Sequence, residues 1–186
     1  KIYLNMHYQF PGPFIFYKEI DNHQEIKKKY LPIILEDIKL NKHKYKRKDW
    51  NCDVYTSLGH KIDFLFDDMI TDNVIWKPFD ECISNVHLTK TPYESKINDL
   101  WYNYYTEGFF QECHVHEFSS FSGIYILSLD EVNTTSFYNK SQHYSSGTYT
   151  TKSMKEGTVI IFPSDLVHYV NPVKKDRTTI SFNIQT

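Results

Sequence analysis

Two histidines stand one residue apart in "ECHVHEFSSFSGIYILSL", residues 112–129. Side chains on a strand alternate between faces. His114 and His116 therefore share one face, and Cys113, Val115 and Glu117 share the other. Imidazoles about 7 Å apart along one face can converge on a single metal ion. A third ligand must then come from another strand. His168 is the candidate, because it follows "GTVIIFPSDLV", where an apolar strand stops at Pro163 and the chain turns back. The plain alternative is one core histidine bonded to backbone and one surface neighbour.

Arg177 opens the last strand, nine residues after His168. Its planar fork suits bidentate capture of a carboxylate, and its plain alternative is a solvated turn residue after "KKD". Along that strand Arg177, Thr179, Ser181 and Asn183 share one face. Thr178, Ile180, Phe182 and Ile184 share the other. The apolar set must pack, with N-terminal helices as the expected partner. The polar set faces water or lines a cavity. Arginine occurs only at Arg47 and Arg177, in a chain whose default cation is lysine, so each arginine is informative.

The elements that would position these residues follow from turn signals and periodicity. "GPFIFYKE", residues 12–19, reads as a strand. "DNHQEIKKKYLPIILEDIKL", residues 21–40, reads as a helix capped by Asp21 and broken or kinked at Pro32. "CDVYTSLG" is a short strand, and helical patterns in "HKIDFLFDDMI" and "FDECISNVHL" are separated by Pro78. From about residue 98 the texture becomes β: "DLWYNYYTEG", "QECHVHEF", "SGIYILSL", "TSFYNK", "GTVIIFP", "VHYVNPV" and "RTTISFNIQ". Seven short strands with turn residues between them point to a sandwich or barrel. The expectation is one domain over 1–186, with a helical and strand support region (1–97) and a β core (98–186). The polar run "NKSQHYSSGTYTTKS", residues 139–153, is placed to act as a lid.

Composition narrows the classes. Aromatics make up 17% of the chain, which favours sheets, and the net charge of −2 gives no bulk field for nucleic acid or an anionic membrane. The basic run "KHKYKRK", residues 42–48, reads as a solvated loop balanced by acidic segments, so nucleic acid is not an expected partner. Cys52, Cys82 and Cys113 are widely separated, which fits a reducing compartment and a cytoplasmic location. No apolar run approaches the roughly 20 residues of a membrane span. No signal peptide is visible, but the sequence begins at Lys1, so targeting stays open.

The order "WYNYYTEGFFQECHVHEFSSFSGIYIL … GTVIIFPSDLVHYV … RTTISFNI" resembles the Fe(II)/2-oxoglutarate-dependent oxygenases. It is most similar to the phage and marine-bacterial type, distantly related to prolyl hydroxylases. The resemblance implies a mainly β fold with N-terminal helices: a double-stranded β-helix, or cupin-like jelly roll, with iron in its mouth. It implies a dioxygenase using Fe(II), 2-oxoglutarate and O2 to hydroxylate a peptide (prolyl) or small-molecule substrate. His114, His116 and His168 become the metal ligands, and Arg177 the partner of the co-substrate's far carboxylate. Tyr104, Thr179, Tyr125 and Asn183 become co-substrate-pocket residues. The wider superfamily has a carboxylate where this chain has His116. Glu112 shares the inward face and could substitute; Glu117 has the wrong phase. Three-histidine cupin-type dioxygenases, which use no 2-oxoglutarate, are the first alternative. A non-catalytic metal-binding jelly roll is the second.

Overall fold

Period-two alternation in the C-terminal half folds into strands that all pair antiparallel. The computed structural model describes residues 13–86, 95–129, 135–139, 147–150 and 155–186. Strand β1 (Phe16–Glu19) leads to helix α1 (His23–Tyr45) and the short β2 (Tyr55–Thr56). A 3-10 turn at Asp63–Phe66 opens into helix α2 (Asp68–Ile70), a π-helical stretch at Thr71–Trp76 and helix α3 (Lys77–Asn85). Then come β3 (Lys96–Tyr105), β4 (Gln111–His114), β5 (Phe121–Leu129) and β6 (Thr135–Asn139). The chain closes with β7 (Gly147–Thr150), β8 (Thr158–Pro163), β9 (Val167–Val170) and β10 (Arg177–Gln185).

These strands form a six-stranded sheet, β1-β8-β5-β10-β3-β2, and a four-stranded sheet, β4-β9-β6-β7. The two pack as a jelly roll. Ile124, Ile126, Ile160 and Phe162 of the larger sheet meet Phe137 of the smaller one in an inner apolar cluster. The larger sheet's other face carries the main core. There Ile26, Tyr30, Ile34 and Ile38 recur at helical spacing on α1 and pack with Leu100, Tyr102, Ile180, Phe182 and Ile184. Ile180, Phe182 and Ile184 are fully buried, and each such side chain contributes roughly 1.5–3 kcal/mol. The apolar face of the last strand thus meets the N-terminal helices as expected.

Several sequence expectations need correction. Pro32 neither ends nor kinks α1. The proline lies on the solvent face, where water can take the freed carbonyl, and the non-helical residue is Asn41 (φ −116°, ψ 16°). The N-cap is Asn22 rather than Asp21. Pro78 sits in the first turn of α3, where a missing N–H costs nothing, instead of dividing two helices. The upstream half is more than support, because β1 and β2 form both edges of the larger sheet. Of the expected lid, residues 147–150 form β7 paired with β6. Residues 140–146 and 151–154 lie outside the described residues. No helix among the described residues is long and apolar enough to cross a membrane.

Gly123 shows how tightly the central strands close. A Cβ placed there would stand 2.0 Å from Cζ of Phe182, whose ring is fully buried. Gly123→Ala is therefore expected to lower the free energy of unfolding by about 1–3 kcal/mol, read from urea denaturation followed by circular dichroism.

Candidate metal centre

Neighbouring strands of the smaller sheet bring the histidines together. His114 ends β4 and is the register partner of His168 on β9, with ring centroids 4.1 Å apart. His116 lies beyond the end of β4, so the two histidines do not share one regular strand. The chain is instead held there by the His116 N–H donating to the Ser164 carbonyl at 2.9 Å. Its ring still turns inward, and His116 Nε2 stands 3.2 Å from His168 Nε2. One nitrogen from each of the three rings lies within 4.8 Å of the others.

The second nitrogens fix the tautomers. His114 Nδ1 donates to the Glu112 carbonyl at 2.8 Å, and His168 Nδ1 to the Leu166 carbonyl at 3.0 Å. His116 Nδ1 donates to Asn183 Oδ1 at 2.8 Å. The amide of Asn183 is oriented in turn, since its Nδ2 donates to Asp99 Oδ2 at 3.0 Å. Each proton therefore sits on Nδ1, and three Nε2 lone pairs converge. Burial lowers the pKa of all three rings. His116 falls to about 4, through burial and the nearby His114, and His168 falls well below its ordinary value. All three are neutral at pH 7, the form that binds metal. A divalent cation fits this donor set.

A second orphan lies inside the same jelly roll. Arg177 is 1% exposed, and its Nη2 donates to Thr135 Oγ1 at 2.9 Å. Among the described residues its Nε and Nη1 have no hydrogen-bond partner, and the guanidinium lies 5.2 Å from the Tyr105 ring centroid. A buried cation with two idle donors calls for an anion. Thr135 lies two residues from Phe137, the register partner of His168, which is about 7 Å along the strand.

The remaining expected pocket residues divide. Thr179 is buried on the interior face with Arg177, paired with Asn103 and Ile126. Asn183 is also interior, but it holds His116 at the opposite end of the row from Arg177. Tyr104 is not in the pocket. Register pairs Arg177 with Tyr105 and Thr178 with Tyr104, so Tyr104 takes the other face and its hydroxyl donates to Asp176 at 2.7 Å. Tyr105 occupies the interior place, its hydroxyl donating to Gln111 Oε1 at 2.6 Å. Tyr125 is likewise outside the pocket. It pairs with Ile180 in the helix-facing core and hydrogen-bonds His23 Nδ1 at 2.6 Å.

The sequence reading also missed Trp101, which stacks on His116 at 5.5 Å, and the buried Asn103, whose Oδ1 has no hydrogen-bond partner among the described residues. Both alternate with Asp99 and Tyr105 along β3, so the phase of that strand was the available signal. In front of the histidines opens a cavity of about 330 Å3, lined in part by Trp50, Asp99, Glu112 and Glu117. Cys113 is exposed. In the basic run, Arg47 pairs with Asp49 and lies over Trp50 at 4.6 Å.

Residues 99–183 match a family described as "Putative 2OG-Fe(II) oxygenase". Among solved structures the fold is similar to AviO1 from Streptomyces viridochromogenes Tue57, with a TM-score of 0.62 and 8% identity over 95% of this chain and 91% of that one. It is similar to a Pseudomonas putida prolyl-4-hydroxylase, with a TM-score of 0.60 and 9% identity over 92% and 91%. It is similar also to a viral collagen prolyl hydroxylase from Paramecium Bursaria Chlorella virus-1, solved with 2OG, with a TM-score of 0.56 and 13% identity over 92% and 96%. At these identities the likeness is one of fold. No curated protein matches the sequence.

Two expectations follow. His168→Ala should abolish tight Fe(II) binding in an anaerobic titration, and unaltered loading would remove His168 from the ligand set. The second concerns pH. The three histidines have folded-state pKa values below the unfolded value of 6.5, so the unfolded chain takes up more protons. Their contribution to stability is present above 6.5 and is lost as pH falls towards about 4, the value for His116. Metal-free protein should lose denaturant stability between pH 7 and 5; saturating metal should raise stability across that range without reducing the loss, because the unfolded chain still takes up the protons.

Proposed function

We propose that this chain, a member of the 2OG-Fe(II) oxygenase family through residues 99–183, is a non-haem Fe(II)- and 2-oxoglutarate-dependent dioxygenase acting as a hydroxylase. The observation that carries the reading is the pairing of two unmet demands inside one jelly roll. Three imidazole lone pairs converge, and a buried guanidinium has two nitrogens without a hydrogen-bond partner among the described residues.

In this reading His114, His116 and His168 hold the iron. Arg177 holds the far carboxylate of the co-substrate, with Thr135 fixing one edge of its fork and the Tyr105 ring packed beside it. When bound, iron, 2-oxoglutarate and O2 together supply the oxidation, which releases succinate and carbon dioxide and leaves a hydroxyl on the substrate. The chain contributes placement and dryness. Ile126, Phe137 and Phe162 are almost fully buried in the inner cluster and exclude water from the interior. The substrate reaches the histidines through the cavity beside Trp50. The prolyl hydroxylases among the structural neighbours make a peptidyl proline the first substrate to test, with a small molecule as the alternative.

The all-neutral ligand set also suits dioxygenases that use three histidines and no 2-oxoglutarate. The idle donors of Arg177 favour the dicarboxylate-dependent reading. The deciding experiment is oxygen-dependent formation of succinate from 2-oxoglutarate by the Fe(II)-loaded protein; its absence, with iron bound, would reject the assignment. Arg177→Met should weaken 2-oxoglutarate binding by about 2–5 kcal/mol, or at least ~30-fold, while iron affinity is retained. Calorimetric titration of both ligands measures this.

A further inference from the structure

His114 and His168 are braced by backbone carbonyls two residues before them. His116 has no such brace. It stands past the end of β4, and its ring is held by the Asn183 amide and by stacking on Trp101. Asn183 Oδ1 accepts from His116 Nδ1 and also from the Ser122 hydroxyl, at 2.8 and 2.9 Å. Asn183 Nδ2 donates to Asp99, its register partner on β3. Among the described residues Asp99 forms no ion pair, and the Asn183 amide is its one hydrogen-bond partner.

An acceptor that is itself pulled on from behind by a carboxylate becomes a stronger acceptor, because hydrogen bonds in a chain polarise one another. A histidine whose Nδ1–H meets a stronger acceptor is a better donor at Nε2. The ligand set needs that help at this position, since all three imidazoles are neutral and none brings a negative charge. Resting on the reading that these histidines hold iron, we infer that Asp99 is a positioning residue for His116, acting through the Asn183 amide. It orients the one ligand ring that no backbone carbonyl braces and lends the metal site the anionic character its ligands lack.

The test compares wild type, Asp99→Asn, Asn183→Ala and the double variant by anaerobic Fe(II) titration, Co(II) absorption spectra and the Fe(III)/Fe(II) potential. Asp99 is exposed, so Asp99→Asn should fold normally, and it removes charge while keeping the shape. Asp99→Asn is expected to weaken Fe(II) binding about tenfold, to shift the Co(II) bands and to raise the potential, with the metal-free melting curve unchanged. Asn183→Ala should lose at least as much, and adding Asp99→Asn to it should cost less than twofold more. Asp99→Glu should recover part of the affinity. Unchanged Fe(II) affinity and Co(II) bands in Asp99→Asn would overturn the inference, as would fully additive losses in the double variant. Wild-type protein that binds no Fe(II) would instead overturn the iron reading, and this inference with it.

Discussion

Burial on both faces of one strand is the constraint on which the molecule is organised. β10 lies between β3 and β5 in the middle of the larger sheet, and every residue from Arg177 to Ile184 is buried. A strand must send alternate side chains to opposite sides. One side of β10 therefore supplies Ile180, Phe182 and Ile184 to the helix-backed core. The other must bury Arg177, Thr179, Ser181 and Asn183, which is affordable only where those groups find partners. The site is built from that obligation. Asn183 finds His116, Ser122 and Asp99; Ser181 finds Asn103; Arg177 finds Thr135 and keeps two donors in hand.

Electrostatics ties the two ends of this row together. At one end three lone pairs face each other; at the other sits a cation removed from water. Each is unfavourable by itself in a buried interior, and each is relieved by a ligand of opposite character. The smaller sheet carries His114 and His168, and β10 of the larger sheet sets Arg177 and Asn183 at the two ends of one row, with Asn183 reaching His116 beyond the end of β4.

The features legible in the sequence were those with one polar and one apolar face. The split of β10 was readable because its two residue sets differ in kind, and the convergence of His114, His116 and His168 followed from residue type and turn placement. Tyr104 and Tyr125 were misplaced for the converse reason. In "LWYNYY" both faces carry aromatic residues, and in "GIYIL" both are apolar, so the sequence contains no contrast from which to choose the phase. A slip of one residue then moves a side chain to the far side of the sheet. Pro32 misled because a helix can tolerate proline where the lost hydrogen bond faces water. The link from Asp99 to His116 was out of reach, since it depends on register between strands far apart in the chain.

The placement of β1 at the rim of the larger sheet has a kinetic side. Phe16 pairs with Ile161, a separation of 161 − 16 = 145 residues, so the sheet is completed only after almost the whole chain has been gathered in. Closures of that span arrive late, and topologies built on them assemble slowly. Until then β8 presents a row of unpaired peptide groups, the kind of edge along which partly assembled chains stick to one another.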